Sequence, residues 1–278
     1  MDWSFIDKVV YINLERCKER NENMKNILSV FGEKLLRFNG IDLPHQGWLG
    51  CTKSHISVLE MAIEHKWNNV LILEDDVEWN HSDIAYENLR NILTKKWDVI
   101  LFGGSWSNFD TNTYKLLNSL GTSSYFVNSE YFETLLHNFK EGCELLKDGY
   151  NYDFTIDRYW QSLIDRDNWF LVVPNIFFQG EGFSCIDNKA VNHTEVFITN
   201  NNVIELPVVK VLWNENDANE MFHNLQKNKW YKVDSNLFIK GTRRNFLTVV
   251  CGCRNKKILK EGMYFIIRDG PHKRTNAL

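Results

Sequence analysis

The chain has 278 residues, a formal net charge of −4, 44% hydrophobic and 24% charged residues. That balance describes a globular protein with a sizeable core, and the lack of a long basic block excludes charge-driven nucleic-acid binding. No stretch reaches the roughly 18 apolar residues of a transmembrane helix.

Met1 to Lys8 lacks the basic start and apolar run of a secretion signal, so a cytoplasmic place, at most at a membrane face, is expected. The six cysteines form no C-x-x-C pair and are expected to be reduced, mostly buried thiols. Aromatic residues make up 14%. Such rings often floor sugar-binding clefts, though most are expected in the core.

Val9 to Leu14 reads as a buried strand. Met24, Ile27, Leu28 and Phe31 then recur at helical spacing. Ile56, Leu59 and Ile63 stripe a second helix beginning near Thr52. Val70 to Leu73 is an all-apolar strand, suited to a sheet covered on both faces. Val99 to Phe102 is another, ended by Gly103-Gly104. Phe132, Leu135, Leu136 and Phe139 mark a helix with Ser129 as its cap. Ile156, Trp160 and Leu163 mark one more, before a last strand from Phe170 to Val173.

This alternation predicts an α/β fold with a mostly parallel central sheet. After about residue 200 the texture changes. Strands at Glu205 to Trp213, Phe246 to Cys251 and Met263 to Arg268, with a helix at Ala218 to Gln226, predict a small α+β appendage. The expected division is 1–199 and 200–278.

In such sheets ligands bind beyond the carboxyl ends of the strands. There the sequence places Glu74, Asp75 and Asp76, directly after Leu71-Ile72-Leu73. Adjacent carboxylates repel one another. Mg²⁺ or Mn²⁺ would remove that cost, since both prefer oxygen ligands and are held by one or two carboxylates plus substrate phosphates. A solvated acidic turn is the alternative.

Several blocks in order resemble glycosyltransferase family 25, which includes lipooligosaccharide and procollagen galactosyltransferases. Tyr11-Ile12-Asn13-Leu14 with Arg16 and Arg20 is similar to its first strand and basic follow-on. Gly50-Cys51-Thr52-Lys53-Ser54-His55 resembles its "GC-x-x-SH" block, and Leu73 to Val77 its "EDD" block. Trp97-Asp98-Val99-Ile100 resembles the next strand. Asp157 falls at the family's acid ahead of the last core strand, and Pro174, Gln179, Ser184 and Asp187 resemble the closing segment. The last 80 or so residues match nothing in that pattern.

The resemblance implies a GT-A-like nucleotide-sugar-binding fold and an inverting, metal-dependent hexosyltransferase. It would use a UDP-sugar, galactosyl or glucosyl, and an acceptor hydroxyl on a glycan or on a hydroxylysine of a collagen-like chain. Asp75 and Asp76 are the expected metal ligands. Asp75, Glu74, Asn13, Arg16 and Arg20 are the expected donor contacts, Arg16 and Arg20 being four apart on one helix face. Ser54 and His55 are placed at a helix N-terminus, where free N–H groups favour anions. His55 there touches the donor or supports the acidic turn, with a structural histidine packed under the sheet as the alternative.

An inverting transfer needs one base for the acceptor proton. Asp157 is the first candidate, with Asp187 and Glu181 as alternatives, Asp187 being also a candidate metal ligand. Asp153 is structural or faces the acceptor, and His193 is a lesser candidate ligand. Two competing readings are a decayed transferase fold that only binds carbohydrate or acts as a scaffold, and a nucleotidyltransferase.

Overall fold

The computed structural model describes residues 1–179 in full and, beyond them, the backbone of strands between 181 and 251. The chain divides into two compact units, Met1–Phe197 and Ile198–Leu278.

The first unit is built on a six-stranded sheet. Its strands are β1 (Lys8–Asn13), β2 (Leu35–Asn39), β3 (Asn69–Glu74), β5 (Val99–Phe109), β6 (Leu116–Asn128) and β7 (Trp169–Leu171), in the order β2-β1-β3-β6-β5-β7. Short β4 (Val77–Trp79) pairs with β8 (Phe177–Gln179) outside it. Only β6 runs against the other five, since β1 pairs in parallel with β2 and β3, and β5 with β7. The mixed α/β class with a mostly parallel sheet is as the sequence predicts.

Successive strand residues point to opposite faces, and both faces are covered. Val10, Ile72, Val99, Leu101, Tyr125 and Leu171 pack on one side under α2 (Gly47–Glu64), α4 (Phe132–Leu146), α5 (Ile156–Tyr159) and α6 (Gln161–Arg166). Val9, Tyr11, Leu71, Leu73, Ile100 and Phe102 pack on the other with α1 (Lys18–Ile27) and α3 (Asp83–Leu93). This two-sided burial is why β3 is apolar without alternation.

Several elements differ from the sequence expectations. The helix expected near Thr52 starts at Gly47. The strand expected to stop at Gly103-Gly104 runs on to Phe109, because these glycines serve close packing rather than a turn. A Cβ on Gly103 would stand 2.1 Å from the Phe177 carbonyl oxygen. Its partner β6 carries three Ser and one Gly and no apolar run at its centre, so periodicity hid it. Buried Ser123 donates to the Gly103 carbonyl at 3.1 Å, which suits a small residue where a branched one would not fit.

β2 and α3 were also unpredicted, although α3 buries Ala85, Leu89 and Ile92 at helical spacing and is capped by the Ser82 hydroxyl. The cap at residue 129 is instead Asn128, whose side chain accepts from the Glu130 N–H at the start of a short 3-10 turn. The helix through Ile156 and Leu163 is two short helices meeting at Trp160. Phe31 lies past α1, on a 3-10 segment interrupted at Gly32. Of the three cysteines with described side chains, Cys143 is buried while Cys17 and Cys51 are half-buried.

A hairpin of β9 (Glu181–Ser184) and β10 (Lys189–Asn192) follows β8. In the second unit β11 (Val203–Glu205), β12 (Trp230–Asp234), β13 (Leu237–Gly241) and β14 (Leu247–Cys251) form one sheet in sequence order, β11 parallel to β12 and the rest antiparallel. The strand expected at Phe246 to Cys251 is present as β14. The helix at Ala218 to Gln226, the strand at Met263 to Arg268 and most of Glu205 to Trp213 lie outside the described residues.

Candidate active site at the acidic turn

β3 ends at Glu74, and Asp75 and Asp76 form the turn into β4. The three acids have different surroundings. Asp75 is held by β1 and α1: Asn13 Nδ2 donates to its Oδ2 at 2.7 Å and Arg20 to its Oδ1 at 2.7 Å. Asn13, itself buried, also donates to the Cys17 carbonyl at 3.0 Å and accepts from Arg37 Nε at 2.9 Å. Both Asp75 oxygens are therefore engaged.

Asp76 accepts from Gln179 Nε2 at 3.1 Å and lies 3.5 Å from the Arg20 guanidinium. Burial pushes its carboxyl up to about 7, with the Glu74 charge adding to the shift and Arg20 opposing it. Glu74 turns inward. It accepts from the Thr122 hydroxyl and from Gln179 Nε2 at 3.1 Å. Burial raises its carboxyl, but the neighbouring His55, Thr122 and the Arg20 charge outweigh that and hold it below the usual carboxylate range.

His55 is fully buried. Its Nδ1 is 2.7 Å from the Tyr125 hydroxyl, and its Nε2, with no hydrogen-bond partner, lies 3.6 Å from Glu74 Oε1. Because α2 begins at Gly47, Ser54 and His55 sit in its third turn and not at its N-terminus. That corrects the anion-site expectation for both. The Ser54 hydroxyl is used within the fold, donating to the Gly50 carbonyl at 2.7 Å and accepting from the Ile41 N–H at 2.8 Å. Of the roles read for His55, its burial fits support of the acidic turn and a histidine packed under the sheet, and not contact with the donor.

The two arginines also part company. α1 starts at Lys18, so Arg16 precedes the helix and shares no helical face with Arg20. It pairs with exposed Asp42. Asp157, on α5, accepts from the Gly121 N–H at 3.0 Å and the Thr155 hydroxyl at 3.0 Å. Gly121 adjoins Thr122, so β6 links Asp157 to the Glu74 side of the turn. Asp153 is exposed on a separate 3-10 turn. Asp187 and His193 lie outside the described residues, and of Glu181 only the backbone of β9 is described.

Sequence reading missed Arg37, Thr122 and Tyr125, which lie on two unpredicted strands, and gave no role to Gln179, whose closing segment it had marked. It also missed that Cys51 joins His55 and Glu74, whose candidate ligand atoms lie within 4.8 Å of one another. A thiol, an imidazole and a carboxylate suit a softer cation than Mn²⁺. Burial, and then the Glu74, Asp157 and Asp76 charges, push the Cys51 thiol well up, so a cation there would have to displace a firmly held proton. Asp76, a carboxylate whose negative charge is under-compensated, is the better fit for a hard divalent cation.

Residues 45–152 match the family model described as glycosyltransferase family 25 (LPS biosynthesis protein). The resemblance read in the sequence is borne out over that stretch, which holds the Gly50 to His55 block and the acidic turn. Asn13 to Arg20 and Asp157 lie outside it. The family match supports a glycosyltransferase.

Among solved structures the chain is similar to a glycosyltransferase involved in glycosylation of the major capsid of PBCV-1. That likeness has 12% identity and a TM-score of 0.43 over 65% of this chain and 95% of the other. It is also similar to the glycosyltransferase GlyE of Streptococcus pneumoniae TIGR4, at 9% identity and a TM-score of 0.35 over 60% and 45%. No curated protein matches the chain. Among the described residues no helix is long and apolar enough to cross a membrane.

Proposed function

We propose that the protein is a GT-A-like, inverting hexosyltransferase that moves galactose or glucose from a UDP-sugar to a hydroxyl of a glycan or of a hydroxylysine in a collagen-like chain. The observation that carries this reading is the division of labour at the acidic turn. Glu74 is turned into the protein, Asp75 is tied to Asn13 and Arg20, and Asp76 is left with a carboxyl raised to about 7. An Mn²⁺ or Mg²⁺ bound at Asp76, with Asp75 beside it, would supply neutralisation of the leaving diphosphate.

The chain's own residues do the rest. Arg20 and Asn13 fix the angle of the Asp75 carboxylate. His55, Thr122 and Gln179 hold Glu74 and keep the turn from relaxing. Asp157 takes the acceptor proton as general base. Asp187 is the alternative base. The donor site is assigned to Met1–Phe197 and the second unit to acceptor choice or assembly, in a protein at work in the cytoplasm or at its membrane face.

The test is nucleotide release from a panel of UDP-sugars by the purified protein with Mn²⁺. Chelation should abolish release and Mn²⁺ restore it, and Asp76→Asn should lower the rate by about 10²–10³-fold with the fold intact. Full activity in excess chelator would overturn the metal assignment. Sugar binding without any turnover would favour the decayed, carbohydrate-binding reading.

A further inference from the structure

The arginine that follows Asp157 is not matched to an acid. Arg158 Nε is buried without a hydrogen-bond partner, and no ion pair of Arg158 occurs among the described residues. Its guanidinium instead lies over the Tyr152 ring, 4.2 Å from the centroid. The acid beside it in sequence, Asp157, accepts instead from Gly121 and Thr155.

Exposed aromatic rings lie on the segment that precedes α5. Tyr152 is 41% exposed and Tyr150 56%. Tyr150 meets Trp48 edge-on at 5.0 Å, at the start of α2. That helix follows β2, so its first turn lies at the carboxyl edge of the sheet, where the acidic turn is.

Burying part of a guanidinium without a partner is unfavourable. Stacking on a ring holds its plane and leaves the outer N–H fork set for a planar or tetrahedral anion. Exposed Tyr rings offer flat apolar faces with polar tips, a surface suited to sugar rings.

We propose that Arg158, stacked on Tyr152, binds a carboxylate or phosphate carried by the acceptor, so that the enzyme selects an anionic sugar acceptor beside Asp157. This rests on the transferase reading above, in which Asp157 faces the acceptor. A neutral acceptor would leave the guanidinium fork as it is found here.

Calorimetric titration tests it with three probes: cellobiose, its terminal phosphate monoester and its terminal uronic acid, each with and without UDP. The wild type should bind at least one anionic probe about tenfold or more tighter than cellobiose. Whichever anion binds tighter tells phosphate from carboxylate. Arg158→Met should reduce the preference to within about twofold, leaving UDP affinity unchanged. Arg158→Lys keeps the charge, loses the fork and should fall between, which covers the event that the methionine variant does not fold.

Equal binding of the three probes by the wild type, or binding of none, overturns the proposal. So does a preference that survives in Arg158→Met. If Arg158→Met weakens UDP and not the anionic probe, the arginine serves the donor diphosphate and the proposal is wrong. Failure of the transferase reading itself would show separately, as absence of UDP binding and of nucleotide release, while the glycan titrations still report on Arg158.

Discussion

Asp76 is where single-residue chemistry is most exposed to measurement. Its carboxyl is raised from 3.8 to about 7 by burial and by Glu74, so the folded protein holds this proton more tightly than the unfolded chain. The stability it contributes is full below about pH 4 and is lost as pH rises through about 7. A divalent cation at the turn displaces that proton, so its stabilising effect should grow over the same window. Melting temperatures with and without Mn²⁺ between about pH 5 and 8 check this, and a metal effect independent of pH would count against Asp76 as a ligand. Asp157→Asn should keep an oxygen for Gly121 or Thr155 and so preserve α5, yet lower transfer by about 10²–10⁴-fold with UDP affinity near normal. Exposed Asp153→Asn should change little. If Asp157→Asn transfers at nearly the native rate, the base lies elsewhere, with Asp187 next to be tried.

The elements matter here by where they stop and how closely they approach. α2 brings Cys51 and His55 under the acidic turn only because its first turn packs against the segment after β2. A Cβ on Gly50 would stand 2.4 Å from the Ile41 carbonyl oxygen, and Ile41 also donates its N–H to Ser54. Gly50→Ala must therefore push the helix or the strand exit, and overpacking of this kind costs about 1–3 kcal/mol. That corresponds to a fall in melting temperature of roughly 2–10 °C for a chain of this size. The shift should also reach His55 one turn on, so metal-dependent turnover should drop further than the stability loss explains. An unchanged melting temperature would mean that the contact relaxes without strain.

At the scale of the whole molecule, every residue assigned to the donor lies in Met1–Phe197, and the chain splits at that point. A chain ending at Phe197 should fold and bind UDP with near-native affinity, while transfer to its acceptor falls. Far-ultraviolet circular dichroism and UDP titration are the measurements. A truncated protein that folds but no longer binds UDP would assign donor contacts to the second unit.

The sequence by itself determined the α/β class, the apolar strands and the place of the acidic turn, because each is written in local terms: a run of apolar residues buried on both faces, then adjacent carboxylates. The family blocks from Gly50 to Val77 were legible for the same reason. β6 was not, since its Ser- and Gly-rich centre is buried by fit against Gly103 and not by hydrophobicity, and with it went Thr122, Tyr125 and the Gly121 support of Asp157. The unlike surroundings of Glu74, Asp75 and Asp76 were also beyond reach of the sequence. They depend on side chains up to 105 positions away, such as Gln179 on Glu74. Only the closed tertiary structure brings those groups within hydrogen-bond range, and that range is what ties Asp75 to Asn13 and Arg20, turns Glu74 toward Thr122 and Gln179, and leaves Asp76 with Gln179 and a raised carboxyl.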